Sequence, residues 1–181
     1  MSTIMLFACQ NSSIEENMDS EVADFLFTNE SEEPFGLKDV SGEYWIAYFL
    51  YTDCKLVCPT TTPNMVSVQE GLQAEGIDTQ IVAFTVDLEK DTPEVLREYA
   101  AEYDVDLTNW SFVIPEDFED VRELAIHSFE TFLEGGGPED HAFAHSTSFF
   151  LVNPEGKVIK RYDGMSKKDA GELVEDIKRV S

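Results

Sequence analysis

A chain of 181 residues with 43% apolar side chains is long enough for one domain with a real core and too short for two. Its 12 basic and 37 acidic side chains leave a formal net charge of −25, a surface that repels nucleic-acid phosphates and anionic lipid heads, so neither is expected as a partner. The acidity reads first as a solvated face suited to salt, and second as a means of drawing cations toward a site.

Near the start, Ile4-Met5-Leu6-Phe7-Ala8-Cys9 ends like a bacterial lipoprotein signal, with Leu at minus three and Ala at minus one from a cysteine that would carry lipid. No basic start or long apolar run precedes Leu6. The alternatives are a true start further upstream or a cytosolic N-terminus with an accidental cysteine, and the expectation adopted is a lipid anchor at Cys9. No other segment approaches the ~18 apolar residues of a membrane span. From Gln10 to about Glu33 the chain is rich in Asn, Ser, Glu and Asp around a brief Phe25-Leu26-Phe27 cluster. Residues 1–33 are therefore expected to be a signal remnant and acidic tether, and 34–181 the folded domain.

Phe35 to Glu43 predicts a short strand and a turn through Gly42. The run Tyr44 to Tyr51 is apolar on both faces, which predicts a central strand. It leads into Cys54-Lys55-Leu56-Val57-Cys58-Pro59, a layout in which a helix starts at the second cysteine and a pair of thiols comes to one spot. Met65, Val66, Val68 and Leu72 give that helix its apolar face, closed by Gly71 or Gly76. Gln80 to Asp87 predicts a second buried strand ending in a carboxylate, and Thr92-Pro93 opens a helix through Val95, Leu96, Tyr99 and Ala100. Trp110 to Ile114 predicts a strand, and Phe118 to Ser128 has helical period. Gly135-Gly136-Gly137-Pro138 breaks the pattern with a mobile loop leading to His141 and His145. Ser148 to Asn153 and Lys157 to Tyr162 form a hairpin around Pro154-Glu155-Gly156, and Ser166 caps a last helix. Strands alternating with helices, closed by a hairpin, give an α/β class: a thioredoxin-like fold, its central mixed sheet flanked by helices, with a C-terminal β-hairpin and helix.

Functional groups gather outside the carboxyl ends of parallel strands, where the Cys54 to Cys58 loop, Asp87 and His145 are expected. Two cysteines at this spacing suit either a disulfide or a metal. Two thiolates and one imidazole fit copper, and they also fit a catalytic zinc site. His145, just ahead of an apolar strand, is better placed to join them than His127 on a helix, and His141 is a competing imidazole.

Three stretches in this order are specific together. Cys54-Lys55-Leu56-Val57-Cys58-Pro59 follows an apolar strand, Phe84-Thr85-Val86-Asp87 precedes Asp91-Thr92-Pro93-Glu94, and His145-Ser146-Thr147-Ser148-Phe149-Phe150-Leu151-Val152 precedes Pro154-Glu155-Gly156. From Pro34 to the C-terminus the chain closely resembles the Sco/SenC family. The resemblance implies a thioredoxin fold, copper held by Cys54, Cys58 and His145, and Asp87 close enough to act on those ligands. It further implies a metallochaperone that helps to assemble the binuclear copper site of cytochrome c oxidase. Its partner would be the copper-site subunit of that oxidase, at the extracytoplasmic face of the bacterial cell membrane. Copper needs thiolates, so the pair must first be reduced, by a thiol reductant protein. The alternative is a thiol-disulfide reductase acting on the oxidase copper-site cysteines through Cys54 and Cys58. A turnover enzyme is not the first expectation. The Thr60 to Thr62 run and the acidic surface depart from the family pattern without removing a ligand.

Overall fold

The computed structural model describes residues 14–135 and 143–181. In chain order the strands are β1 (Ser20–Glu21), β2 (Leu26–Asn29), β3 (Pro34–Gly36), β4 (Trp45–Leu50), β5 (Gln80–Thr85), β6 (Trp110–Ile114), β7 (Leu133–Glu134), β8 (Ala144–His145), β9 (Ser148–Val152) and β10 (Lys157–Asp163). The α-helices are α1 (Cys58–Ala74), α2 (Pro93–Glu102), α3 (Phe118–His127) and α4 (Lys167–Val180). Eight strands form one sheet in the order β1-β10-β9-β4-β5-β6-β2-β3, and among the described residues β7 pairs with β8 alone. The strands β4, β5 and β6 run parallel, whereas β9 lies antiparallel against β4.

Both faces of the sheet are covered, which is why β4 can be apolar throughout: all six of its residues are buried. Side chains alternate, so Tyr48 and Phe49 enter opposite cores. On one face Tyr48 meets Trp110 and Phe149 edge-on, and Tyr99 of α2 packs on Phe112. The hydroxyls of Tyr99 and Thr62 lie 2.6 Å apart, joining α2 to α1. On the other face Phe49 packs against Phe84, Phe129 and Phe150, and Phe25 closes on Phe84.

The predicted helix starts hold. Thr92 accepts from the Val95 N–H, and Ser166 from the Asp169 N–H. Gly76, at φ +73°, lies beyond the end of α1, while Gly71 sits inside the helix, where an added Cβ would come within 3.3 Å of Val174 on α4. Gly71 therefore allows close helix approach and does not end the helix.

The stretch expected as a tether up to Glu33 differs over its described residues. β2 pairs with both β3 and β6 inside the main sheet, and β1 edges it on β10. Ile14, Val22, Phe25 and Phe27 are buried. The polar composition misleads because these strands are short and the segment is held by backbone bonds to distant residues, such as Val22 N–H to the Gly156 carbonyl at 2.9 Å. Cys9, His141 and the Gly136 to Pro138 part of the expected loop lie outside the described residues.

Candidate metal centre

The thiol pair is placed by the junction of β4 and α1. A turn closes with the Cys54 N–H donating to the Tyr51 carbonyl at 3.3 Å, and α1 opens at Cys58 with Pro59 in its first turn, where the missing N–H costs nothing. Cys54 thus precedes the helix and does not share its face at helical spacing. Val57 occupies the N-cap and contributes no side-chain hydrogen bond, so the helix's positive end is left to the Cys54 sulfur. Both cysteines are buried free thiols.

His145 reaches them because β9 runs antiparallel to β4, Ala47 facing Phe150 and Trp45 facing Val152. The beginning of β9 therefore lies at the same end of the sheet as the end of β4, and β8 ends there too. The His145 Nδ1 lies 2.8 Å from the Ser146 carbonyl oxygen. A carbonyl can only accept, so Nδ1 carries the hydrogen and Nε2 keeps a bare lone pair. Nε2 is buried and has no hydrogen-bond partner. The Tyr51 ring walls it in, with its centroid 5.7 Å from the imidazole and 5.4 Å from Phe143.

One donor atom from each of Cys54, Cys58 and His145 lies within 4.8 Å of the others, the one such group among the described residues. Donors sharing an ion at ~2.0 to 2.3 Å lie at most ~4.6 Å apart, so the cluster needs little contraction to close on a soft cation. The orphaned Nε2 supports the same fit: a buried lone pair is costly unless something meets it.

The thiols are not equivalent. The hydrogen bond from Cys58 holds the Cys54 thiol far below its usual pKa; burial opposes this, and the backbone N–H groups of Cys58 and Val57 reinforce it. The Cys58 thiol is pushed up by the same bond and by its burial. Negative charge therefore collects on Cys54 while Cys58 keeps its proton.

Asp87 is buried at the turn after β5, where its Oδ1 accepts from the Lys90 N–H at 3.3 Å. It lines a cavity of about 300 Å³ with Val86, Leu88, Phe118 and Phe143. Asp87 is not part of the three-donor cluster, and Phe143 beside it also touches Tyr51. His127 is on the exposed side of α3, 3.0 Å from Glu123. Two further residues shape the site: Tyr51 as its wall, and Asp91, whose buried carboxylate bonds to Thr52 just ahead of Cys54. Asp91 stands in one of the diagnostic stretches, but only the contact with Thr52 gives it a task.

A family profile described as SCO1/SenC matches residues 14–181. The chain belongs to the SCO1/SenC family. The SCO1 protein homolog of Bacillus subtilis (strain 168) is 35% identical over 178 residues, covering 98% of this chain and 92% of that one. A structure of a SCO1/SenC family lipoprotein from Bacillus anthracis superposes with a TM-score of 0.86 at 34% identity, over 92% of this chain and 98% of its own. BsSco, described as a member of the Sco family of cytochrome c oxidase assembly proteins with a disulfide switch, gives 0.81 at 34%, over 92% and 95%. The thioredoxin-like fold is thus common to these SCO1/SenC chains, and the profile takes in β1 and β2. No helix among the described residues is long and apolar enough to cross a membrane.

Proposed function

We propose that this chain is a copper-binding metallochaperone that takes up copper through Cys54, Cys58 and His145 and delivers it to the copper-site subunit of cytochrome c oxidase. The observation that carries the reading is the convergence of two thiols with an unpartnered, lone-pair-bearing Nε2. Two soft sulfurs and one imidazole suit copper in either oxidation state, and family membership favours copper over zinc, which the same donors would also take. Copper is the cargo here. The chain's own part is to present one thiolate ready-made on Cys54, to give up the Cys58 proton on loading, and to keep the imidazole in the tautomer that faces the thiols. Asp87 lies outside the donor cluster and acts on the ligands only indirectly. The Leu6-Phe7-Ala8-Cys9 motif and the likeness to a lipoprotein support anchoring by lipid on Cys9 at the extracytoplasmic face.

The test is copper(II) titration of the reduced protein. A thiolate-to-copper charge-transfer band saturating at one equivalent is expected, abolished by Cys58→Ser and weakened with altered shape by His145→Ala. No band in the native protein sinks the copper reading, and a band indifferent to His145 removes the imidazole.

A second reading is favoured by the unequal thiols and by the disulfide switch described for BsSco. The Cys54 thiolate attacks a disulfide of the oxidase copper site and forms a mixed disulfide, releasing one partner thiolate. Cys58, passing its proton to that leaving sulfur, attacks Cys54 and releases the second. Two electrons move to the partner, which becomes a dithiol, and Cys54–Cys58 becomes the disulfide. A metal-free, reduced protein that leaves a disulfide peptide with the oxidase copper-site cysteines untouched counts against this reading alone.

A further inference from the structure

Asp91 is only 1% exposed, yet it carries a carboxylate into the interior beside the thiol loop. The groups bonded to its oxygens are all donors. The Thr52 N–H lies 3.2 Å from each carboxylate oxygen, the Thr52 hydroxyl donates to Oδ1 at 2.5 Å, and the Thr85 hydroxyl donates to Oδ2. An acceptor-only group is what such a cage requires, and an ionised carboxylate is the side chain that supplies it. Asp91 is itself fixed, its N–H donating to the Asp87 carbonyl at 2.9 Å and its neighbour Thr92 capping α2. Burying a charge costs several kcal/mol unless hydrogen bonds offset it, and here burial pushes the Asp91 pKa up in spite of the Thr donors. Those donors lead to one place: Thr85 ends β5, and Thr52 lies inside the turn from Tyr51 to Cys54 that delivers the first thiol.

We propose that Asp91 is a positioning residue for the thiol pair, tying Thr52 to the end of β5 so that the Cys54 sulfur is held against Cys58 and His145. The bond runs from a rigid strand end to an irregular turn that otherwise has one backbone hydrogen bond of its own, from the Cys54 N–H. Releasing Asp91 frees the turn without touching a donor atom. The inference rests on Cys54 and Cys58 being the working thiols, and half of its test needs no metal.

The experiment compares the native chain with Asp91→Ala, Asp91→Asn and Thr52→Val. The first readout is the Cys54–Cys58 thiol-disulfide equilibrium in a metal-free glutathione buffer. The second is copper(II) affinity and the charge-transfer band. Asp91→Ala is expected to shift the equilibrium about tenfold toward the dithiol, a midpoint about 30 mV less reducing, because an unpinned Cys54 meets Cys58 less often. It should weaken copper binding about tenfold and change the band shape. Asp91→Asn keeps one acceptor and should fall between, and Thr52→Val, losing only the hydroxyl arm, should move the same way by less. A residue that merely stabilises the fold would lower the melting temperature and leave midpoint and band native in the folded variant; that result overturns the proposal. Where Asp91→Ala does not fold, native midpoints in both Asp91→Asn and Thr52→Val overturn it equally. A native chain that binds no copper refutes the copper reading and leaves the midpoint to decide the role of Asp91.

Discussion

His145 can serve as a donor because of the nitrogen it does not offer. Its Nδ1–H is committed to the carbonyl of the adjacent Ser146, so the tautomer is set by the chain's own backbone, and Nε2 stays available whatever the loop ahead of it does. The cysteines are tuned as a pair, with the charge on Cys54. The sign for stability follows: a depressed acidic group contributes stability above the unfolded thiol pKa of ~8.5 and loses it as pH falls through its folded value. We therefore expect the metal-free, reduced protein to keep the ultraviolet absorbance of one thiolate at pH ~6, where an ordinary thiol is almost wholly protonated. Cys54→Ser should abolish that signal and Cys58→Ser should push its midpoint upward; a signal lost near pH 8 in the native protein refutes the asymmetry. The two cysteines and His145 were legible in the sequence because thiols before a Pro and an imidazole before a buried strand are rare enough to stand out. Asp91 and Tyr51 were not, since an aspartate among 37 acidic side chains, or a tyrosine closing an aromatic strand, acquires a role only through a partner distant in sequence.

At the scale of elements, long apolar runs and well-capped helices announced themselves, and β4, β5, β6 and β9 lie within a residue or two of where period and composition put them. β1 and β2 are too short, at two to four residues, to carry periodicity, and their places in the sheet depend on β10 and β6, more than 80 residues on, although β2 also pairs with the nearby β3. The hairpin strand β10 and α4 are joined by a cluster that no pattern predicts. The Lys160 Nζ, nearly buried, donates to Asp176 and Glu172 at 2.7 Å each, and the Tyr162 hydroxyl also donates to Asp176, at 2.8 Å. Burial pulls the Lys160 pKa down, but the bonds to Asp176 and Glu172 outweigh it and the net shift is upward. A raised lysine pKa means stability fully present below the unfolded value of ~10.4 and lost as pH climbs through the folded value. Lys160→Met leaves Asp176 buried with only Tyr162 and Arg179 to meet it, and should cost ~3 kcal/mol, or roughly 6 to 12 °C in melting temperature at pH 7. Thermal melts should show that gap narrowing as the pH climbs past the ordinary lysine value of ~10.4 and the native lysine, its pKa raised, loses its proton. A gap indifferent to pH would mean that the lysine contributes packing and not charge.

Over the whole molecule, the 12 basic side chains can neutralise at most a third of the 37 acidic ones, and the ion pairs with Lys157, Lys178 and Arg122 are exposed ones of small individual worth. The balance is self-repulsion, which is relieved when the chain expands, so low salt favours the unfolded state. The Debye length falls from ~10 Å at 0.1 M to ~3 Å at 1 M, short enough to uncouple most surface carboxylates from one another. We expect the melting temperature to rise steadily with sodium chloride over that range, and to rise equally with potassium chloride if screening is the cause. Sulfate salts would add the separate effect of exclusion from the surface and should be avoided as the test. The metal centre predicts the opposite insensitivity. Its donors are buried within a few ångströms of one another, where mobile ions do not enter, so the copper charge-transfer band should keep its position and intensity across the same titration. A flat or falling melting temperature would show that the −25 charge is already compensated at low salt, and a band that moves with salt would place the centre at the surface.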